Sequence, residues 1–228
     1  VAAASDLTHV LPELAQLFYQ HSGHELRISF GSSGNLTRQI IQGAPFDVFF
    51  SANEDYVEQL ARQQLTQNKG LLYALGTLAI FVPQRSNIEP VADLSGLHIA
   101  LAKDELHRLA IANPDHAPYG MIARTALQQA GLWAQLEQKI ILGENAAQTA
   151  QFSVSGNVDA GLIPHAIAVA PNFANRGRYA LLADNLYTPL RQRMVLLKRA
   201  NQAAHELVNF VQTETAKTVL IRYGFSMP

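Results

Sequence analysis

The apolar positions change period along this chain, and each change marks the passage from a strand to a helix. Alternating apolar residues predict a strand over 25–30, and apolar residues at helical spacing predict a helix over 34–42 that stops at Gly43. The change falls at Ser32-Ser33-Gly34. The first N–H groups of a helix have no partner within it and together carry roughly half a positive charge. This turn is therefore predicted to offer backbone donors and the Ser33 hydroxyl to an anion.

The same succession recurs on both sides of that turn. Residues 2–4 are interpreted as the end of a first strand, and Ser5-Asp6 precedes a helix that ends at Gly23. A buried strand is predicted at 47–50, and another helix begins after Asn53. Continuous apolar strands joined by helices predict a mainly parallel sheet covered on both faces, in which ligands bind beyond the carboxyl ends of the strands. Ser5 and Ser33 are expected at that end.

The middle of the chain is predicted to form a second domain of similar design. A long apolar segment at 71–82 ends at Pro83, where we place the first crossing between domains, and the chain is predicted to return at 183–193. The elements predicted after the first crossing are a strand at 97–102, a loop at 113–120, a helix at 119–130, a helix at 146–152, strands at 158–163 and 194–197, and helices at 201–213 and 214–222.

Composition narrows the class of ligand. The 228 residues are 48% hydrophobic and 15% charged, which is typical of a folded globular protein. The net charge of −1, without a basic stripe, argues against nucleic acid or an anionic membrane surface and favours a small ligand. The absence of cysteine excludes thiolate metal sites, cysteine catalysis and disulfides.

Four junctions before helices share one chemical property. They are Ser5-Asp6, Ser33-Gly34, Tyr119-Gly120 and Asn145-Ala146, and none contains lysine or arginine. A site built from them would balance negative charge with backbone dipoles and hydroxyls, and it would donate hydrogen bonds without accepting them. A protonated phosphate needs an acceptor for its own hydrogen, so such a site favours a fully deprotonated oxyanion. An alternative is that Ser5 and Ser33 only cap their helices.

Taken together, the motifs resemble those of the periplasmic molybdate-binding proteins of ABC transporters, which are two-lobed type II solute-binding proteins. The resemblance covers essentially the whole chain. It rests on AAAS at 2–5, FGSSGNLTRQI at 30–40, GAPFDVFFSA at 43–52, NPDHAPYG at 113–120 and RYGF at 222–225.

This resemblance implies an α/β fold of two lobes, each a mainly parallel sheet flanked by helices, with two crossing segments as a hinge. Lobe 1 is expected to comprise 1–82 and 190–228, and lobe 2 to comprise 83–189. The implied function is to capture molybdate, and tungstate, in the cleft between lobes that close on it, and to deliver it to a membrane permease. A periplasmic monomer is expected, with a processed N-terminus, no cofactor, no enzymatic activity and no protein ligand to the molybdenum atom.

The family's ligands, carried over residue by residue, fall on four positions here. They are the hydroxyl and N–H groups of Ser5 and Ser33 and the N–H groups of Tyr119 and Ala146. We add the N–H of Asp6, whose carboxylate is expected to face away from a dianion. The Tyr119 hydroxyl is interpreted either as a further donor or as part of a rim aromatic. The family often has tyrosine where this chain has Pro164, which provides no donor.

Two other functions remain open at this point. A receptor for another tetrahedral anion, such as sulfate, would need the same donors, because donor number fixes charge and protonation but not size. A serine hydrolase with Ser33 as nucleophile and His116 as base is the weaker alternative, because no acid is predicted to orient His116 and no nucleophile elbow surrounds Ser33. His116 is expected to order its loop, and His21 and His24 are expected to be solvated.

Overall fold

The chain forms ten strands and eleven helices, and the computed structural model describes all of residues 1–228. The strands are β1 (Ala2–Ala4), β2 (Ser29–Gly31), β3 (Val48–Ser51), β4 (Leu71–Gly76), β5 (Leu78–Pro83), β6 (Leu109–Ala112), β7 (Ile140–Gly143), β8 (Ala160–Pro164), β9 (Gly177–Leu181) and β10 (Leu190–Leu196). The helices are α1 (Val10–Ser22), α2 (Ser33–Ile41), α3 (Glu54–Arg62), α4 (Ser95–Ala102), α5 (Pro118–Gln129), α6 (Trp133–Leu136), α7 (Ala146–Val154), α8 (His165–Ala168), α9 (Pro171–Ala174), α10 (Gln202–Val211) and α11 (Glu214–Arg222). Short 3₁₀ turns lie at Ser5–Leu7 and Glu137–Lys139. None of the helices is long and apolar enough to cross a membrane.

Each of two units is built on one five-stranded sheet. The first unit comprises Val1–Gly76 and Leu190–Pro228, and its strands lie in the order β2-β1-β3-β10-β4. The second comprises Thr77–Pro189, in the order β7-β6-β8-β5-β9. In each sheet one strand, β10 or β5, is antiparallel to both of its neighbours, and the remaining pairs are parallel. The predicted two-lobed α/β fold with mainly parallel sheets is therefore confirmed.

Helices bury the apolar faces of both sheets. In the first unit, α2 and α3 pack on β1, β3 and β10 through a buried cluster of Ala2, Leu36, Ile40, Phe49, Val57, Leu60, Val195 and Leu197. Helix α1 ends where the sequence predicts, at Gly23 with its left-handed φ of +76°. It begins later than predicted, at Val10, because Ser5–Leu7 forms a separate 3₁₀ turn. Asn53 caps α3 by accepting a hydrogen bond from the Asp55 N–H.

The first crossing lies earlier than predicted. The sequence-based expectation extends lobe 1 to residue 82, whereas the structural division falls between Gly76 and Thr77. The reason is that β5 pairs with β8 and β9 and so belongs to the second sheet. The apolar run 71–82 is thus two strands of different units. The second division falls between Pro189 and Leu190.

The predicted strand at 97–102 is wrong, because this segment lies in α4. The Asp93 carboxylate accepts a hydrogen bond at 2.9 Å from the N–H of Ser95, the first residue of this helix. Leu97 and Ala100 are buried while Ile99 is 56% exposed, a spacing that fits a helix face and not alternation.

Three strands of the second sheet, β6, β7 and β9, are absent from the predicted elements. β6 is an interior strand of four buried residues between β7 and β8, and it carries no alternation. β9 is an edge strand paired with β5. The sequence of β6 shows only a short apolar run at 109–112, directly before Asn113-Pro114, and a run of this length does not distinguish a strand from a helix.

Candidate functional site

Three parallel strand ends of the first unit bring the predicted residues Ser5, Asp6 and Ser33 to one edge of the sheet. Ala4 at the end of β1 pairs with Gly31 at the end of β2, and β3 lies on the other side of β1. Ser5 follows β1, Ser33 follows β2 and opens α2, and all three predicted residues are buried.

The two adjacent serines at the start of α2 have different roles. Ser32 is the N-cap, and its hydroxyl oxygen accepts a hydrogen bond from the Asn35 N–H at 3.3 Å. Ser33 is the first helical residue, 0% exposed, and its hydroxyl oxygen accepts from the Ala52 N–H at 3.0 Å. With its oxygen accepting from Ala52, the Ser33 hydroxyl keeps its hydrogen for donation. The N–H groups of Ser33 and Gly34 lie in the first turn, where a helix supplies no acceptor.

The capping alternative is therefore wrong for Ser33, because the residue before it caps the helix. Ser5 does not occupy an N-cap position either, because Ala4 is the N-cap of the 3₁₀ turn and His9 that of α1. Sequence reasoning missed the roles of Ser32 and Ala52. A serine three positions before Asn35 is the sequence signal for the cap. No local signal indicates that the Ala52 N–H donates to Ser33.

Asp6 is joined to two other strands by buried hydrogen bonds. The Gln192 Nε2 of β10 donates to Asp6 Oδ2 at 2.6 Å, and the Tyr73 hydroxyl of β4 donates to Gln192 Oε1 at 2.6 Å. Burial, and then the nearby Asp6 carboxylate, hold the pKa of Tyr73 well above its ordinary value, so its phenol stays protonated and can donate. Sequence reasoning missed both Tyr73 and Gln192.

In the second unit, two strand ends bring Tyr119 and Ala146 to one edge of the other sheet. Ala112 at the end of β6 pairs with Gly143 at the end of β7. Ala146 opens α7 after the N-cap Asn145, whose side chain accepts from the Gln148 N–H at 3.0 Å. Tyr119 is the second residue of α5, behind Pro118 at the first helical position. Both predicted residues are buried and lie in the first turn of a helix.

Gly120 allows α5 to begin directly against the end of β6. A Cβ added at Gly120 would lie 2.1 Å from the Ala112 carbonyl oxygen and 2.7 Å from its carbonyl carbon. Backbone atoms cannot move aside as a flexible side chain can. Only glycine therefore permits this close approach of the helix N-terminus to the strand end.

Pro164 lies at the neighbouring strand end of the same sheet. It ends β8, which is parallel to β6, and it is the residue from which α8 begins. Without an N–H or a side-chain donor, Pro164 contributes no hydrogen bond at this edge.

His116 links the loops that follow β6 and β7. It is buried, and its Nε2 lies 3.7 Å from Glu144 Oε2. An acid therefore lies beside His116, at an ion-pair distance that is longer than a hydrogen bond. The hydrolase alternative is still unsupported, because the Ser33 oxygen accepts from a backbone N–H and no histidine is hydrogen-bonded to that serine.

An ion-pair cluster lies beside the Ala52–Asn53 turn of the first unit. Glu54, the first residue of α3, accepts from Arg193 at 2.6 Å and also pairs with Arg191. Burial alone would raise the pKa of Glu54, but hydrogen bonds from Arg193 and Arg191 outweigh it and hold the pKa below its ordinary value. Both arginines are thus engaged by one carboxylate. The structure contains no group of three histidine, cysteine, aspartate or glutamate residues placed to hold a metal ion.

Comparisons with known proteins extend over both units. The family model described as bacterial extracellular solute-binding protein matches residues 1–226. The molybdate-binding protein ModA of Azotobacter vinelandii is 30% identical over 230 residues, covering 100% of this chain and 89% of that protein. ModA of Rhodobacter capsulatus is 29% identical over 227 residues, covering 98% of this chain and 86% of that protein. The solved structure of the Azotobacter vinelandii periplasmic molybdate-binding protein has a TM-score of 0.91 and 28% identity, covering 100% of this chain and 98% of that one.

Proposed function

The chain belongs to the family of bacterial extracellular solute-binding proteins, and on that premise we propose that its solute is molybdate, bound in the periplasm for delivery to the permease of an ABC transporter. Tungstate, a dianion of the same shape, is proposed as a second solute. The protein acts as a monomer without a cofactor and without catalysing a reaction. The two ModA relatives, named for molybdate binding and similar over the whole chain, support the choice of solute.

The observation that carries this proposal is the state of the Ser33 hydroxyl. Its oxygen accepts from the Ala52 N–H, so the group has a hydrogen to give to a ligand. It lies beside the N–H groups at the start of α2, where the helix dipole favours negative charge. An anion is the ligand that suits such a group of donors.

The other predicted residues extend the same chemistry. Tyr119 and Ala146 occupy first turns of helices, as Ser33 does, and no lysine or arginine is among the five predicted site residues. Hydrogen bonds from neutral donors to an oxyanion are charge-assisted and stronger than those between neutral groups. Such a donor set favours a fully deprotonated tetrahedral dianion over hydrogen phosphate, whose proton would lack an acceptor.

Calorimetric titration with molybdate, tungstate, sulfate and phosphate at neutral pH tests the proposal. We expect saturable binding of molybdate and tungstate and much weaker binding of phosphate. If the protein binds sulfate more tightly than molybdate, the solute is the smaller dianion and the proposal of molybdate is wrong. A chain that binds none of the four anions would not have the proposed function.

A further inference from the structure

A buried chain of three polar side chains runs through the sheet of the first unit to the predicted anion site. Tyr73 of β4 donates to Gln192 of β10, which donates to Asp6, with both distances 2.6 Å. Gln192 is 0% exposed and Asp6 1% exposed. β4 and β10 are neighbours, and Gln192 pairs with Ala74, the residue after Tyr73. Buried polar groups of this kind are costly unless hydrogen-bonded, so their arrangement is a defined feature of the fold.

The chemistry of the two ends fixes which way the Gln192 amide points. An ionised carboxylate can only accept, so the amide NH₂ must face Asp6. The amide oxygen then faces Tyr73, whose protonated hydroxyl donates to it. Tyr73 thereby sets the orientation of Gln192, and Gln192 holds the Asp6 carboxylate.

This carboxylate poses an electrostatic problem for an anion site. Asp6 follows Ser5 directly, and like charges repel more strongly in a buried environment than in water. A carboxylate turned toward the ligand would also introduce an acceptor among groups that otherwise donate. The turn Ser5–Leu7 can serve an anion only if its carboxylate is held elsewhere.

We propose that Gln192 is a positioning residue for anion binding: it holds the Asp6 carboxylate toward β10, so that the Ser5–Leu7 turn presents donors and not a negative charge to the ligand. Tyr73 acts through Gln192 by fixing the orientation of its amide. This inference rests on the proposed function, and it adds two residues outside the predicted ligand set.

A double-mutant cycle between Gln192 and Asp6 tests the inference by calorimetry with molybdate. Gln192→Met keeps the length of the side chain but removes the donor, and we expect it to weaken molybdate binding about tenfold or more, the effect of one interaction with a charged group. Asp6→Asn removes the charge that Gln192 restrains. In the Asp6→Asn background, Gln192→Met is therefore expected to change affinity by no more than about threefold, which is strong non-additivity for contacting residues.

Tyr73→Phe provides a milder test that keeps Gln192 in place. Loss of one orienting hydroxyl is expected to weaken molybdate binding about three- to tenfold, the range for one hydrogen bond. The matched control is Tyr187→Phe, which also removes a hydroxyl from a buried tyrosine. The Tyr187 hydroxyl accepts a hydrogen bond from the Leu78 N–H in the second unit, and Leu78 is not a predicted site residue. This control is expected to bind molybdate as the parent does.

The outcomes separate this inference from the proposed function. A parent chain that binds no tetrahedral oxyanion overturns both. If the parent binds molybdate and Gln192→Met binds it equally well, the positioning role alone is overturned. The same holds if Gln192→Met weakens molybdate binding as much in the Asp6→Asn background as in the parent. If Gln192→Met does not fold, parent-like binding by Tyr73→Phe overturns the role of the chain.

Discussion

At the scale of single residues, the two serines at the start of α2 have separate roles, one capping the helix and the other keeping a hydroxyl hydrogen for a ligand. A cap must use its oxygen to accept from the helix, as Ser32 does with the Asn35 N–H. A ligand donor must keep its hydrogen free of that geometry, as Ser33 does while its oxygen accepts from Ala52. Adjacent serines therefore allow the helix to be capped and its first turn to bind an anion.

This division predicts that two neighbouring substitutions change different properties, one the affinity for molybdate and the other the free energy of unfolding. Ser33→Ala is expected to weaken molybdate binding by about 1.5–3 kcal/mol, the range for a hydrogen bond to a charged group, or ten- to a hundredfold, with no loss of fold. Ser32→Ala is expected to lower the free energy of unfolding by about 0.5–2 kcal/mol, as loss of an N-cap does. Calorimetry and urea unfolding of both variants check this. Parent-like molybdate binding by Ser33→Ala, together with Ser5→Ala, would remove these serines from the site.

Tyr119 and Pro164 support a second prediction at this scale. Pro164 ends β8, and Tyr119 lies in the first turn of the helix that follows the neighbouring parallel strand β6, so the Tyr119 hydroxyl is the candidate to replace the donor that Pro164 lacks. Tyr119→Phe is expected to lose about 1–2 kcal/mol of molybdate affinity, the value of one hydrogen bond. Pro164→Tyr is expected to restore part of the loss in that background. Unchanged affinity in Tyr119→Phe would mean that its hydroxyl is not a ligand donor.

At the scale of elements, the start of α5 depends on its packing against β6. Gly120→Ala places a Cβ against the Ala112 carbonyl group, which is backbone and cannot rotate away. We expect this substitution to lower the free energy of unfolding by about 1–3 kcal/mol, as overpacking does, and to weaken molybdate binding because the first turn of α5 shifts. Gly31→Ala is the comparison, since its nearest neighbour is the flexible Leu36 side chain at 3.2 Å. Equal unfolding free energies for the two variants would contradict the packing argument.

The start of α3 depends instead on charge, which makes it sensitive to pH. The pKa of Glu54 is lowered in the folded protein from its ordinary value of 4.5, because hydrogen bonds from Arg193 and Arg191 outweigh the opposing effect of burial. A group with a lowered folded pKa stabilises the protein above its ordinary pKa, and this stabilisation is lost as the pH falls through the folded value. Glu54→Gln is therefore expected to be less stable than the parent at neutral pH.

The acid limb of the same experiment provides the control. Below the folded pKa, the Glu54 carboxyl of the parent is itself protonated and resembles the variant. The difference in unfolding free energy between Glu54→Gln and the parent should then shrink as the pH is lowered from neutral through the folded pKa, as measured by thermal unfolding along an acid pH series. A difference that stays constant across this range would show that the carboxylate charge is not the cause.

At the scale of the whole molecule, the two units repeat one arrangement. Each sheet has three adjacent parallel strands, followed by one reversed strand and a fifth beyond it. In each unit, predicted anion-binding residues follow the strand ends in the parallel part of the sheet. The chain thus carries two groups of donors, one in each unit.

Stoichiometry distinguishes one shared anion from two separate ones. We expect one molybdate per chain, bound equally well after treatment with a chelator, because the predicted donors are N–H and hydroxyl groups and not metal ligands. Two molybdate ions per chain, or loss of binding in the chelator, would contradict this. Hinge bending at the two crossings stays a prediction, and small-angle scattering with and without saturating molybdate checks it through the expected decrease in radius of gyration.

The elements that sequence reasoning predicted well are those with local signals. Helix ends at Gly23 and Gly131 follow from the left-handed backbone that glycine adopts, at φ of +76° and +70°. The elements that it missed lack such signals. The run in α4 is apolar enough to resemble a buried strand, and β6 is too short for either period to be recognised.

The sequence by itself determined that helices open near Ser33, Tyr119 and Ala146, and therefore which backbone donors these turns offer, since capping and turn formation act over three or four residues. Only the tertiary structure decided what those donors contact and what keeps them in place. The Ala52 N–H reaches Ser33 across 19 positions of sequence, and Gln192 reaches Asp6 across 186. The assignment of β5 to the second sheet likewise follows from its pairing with β8 and β9. Contacts of this kind arise because strands distant in the chain become neighbours in a sheet, and no local pattern of residues encodes that neighbourhood.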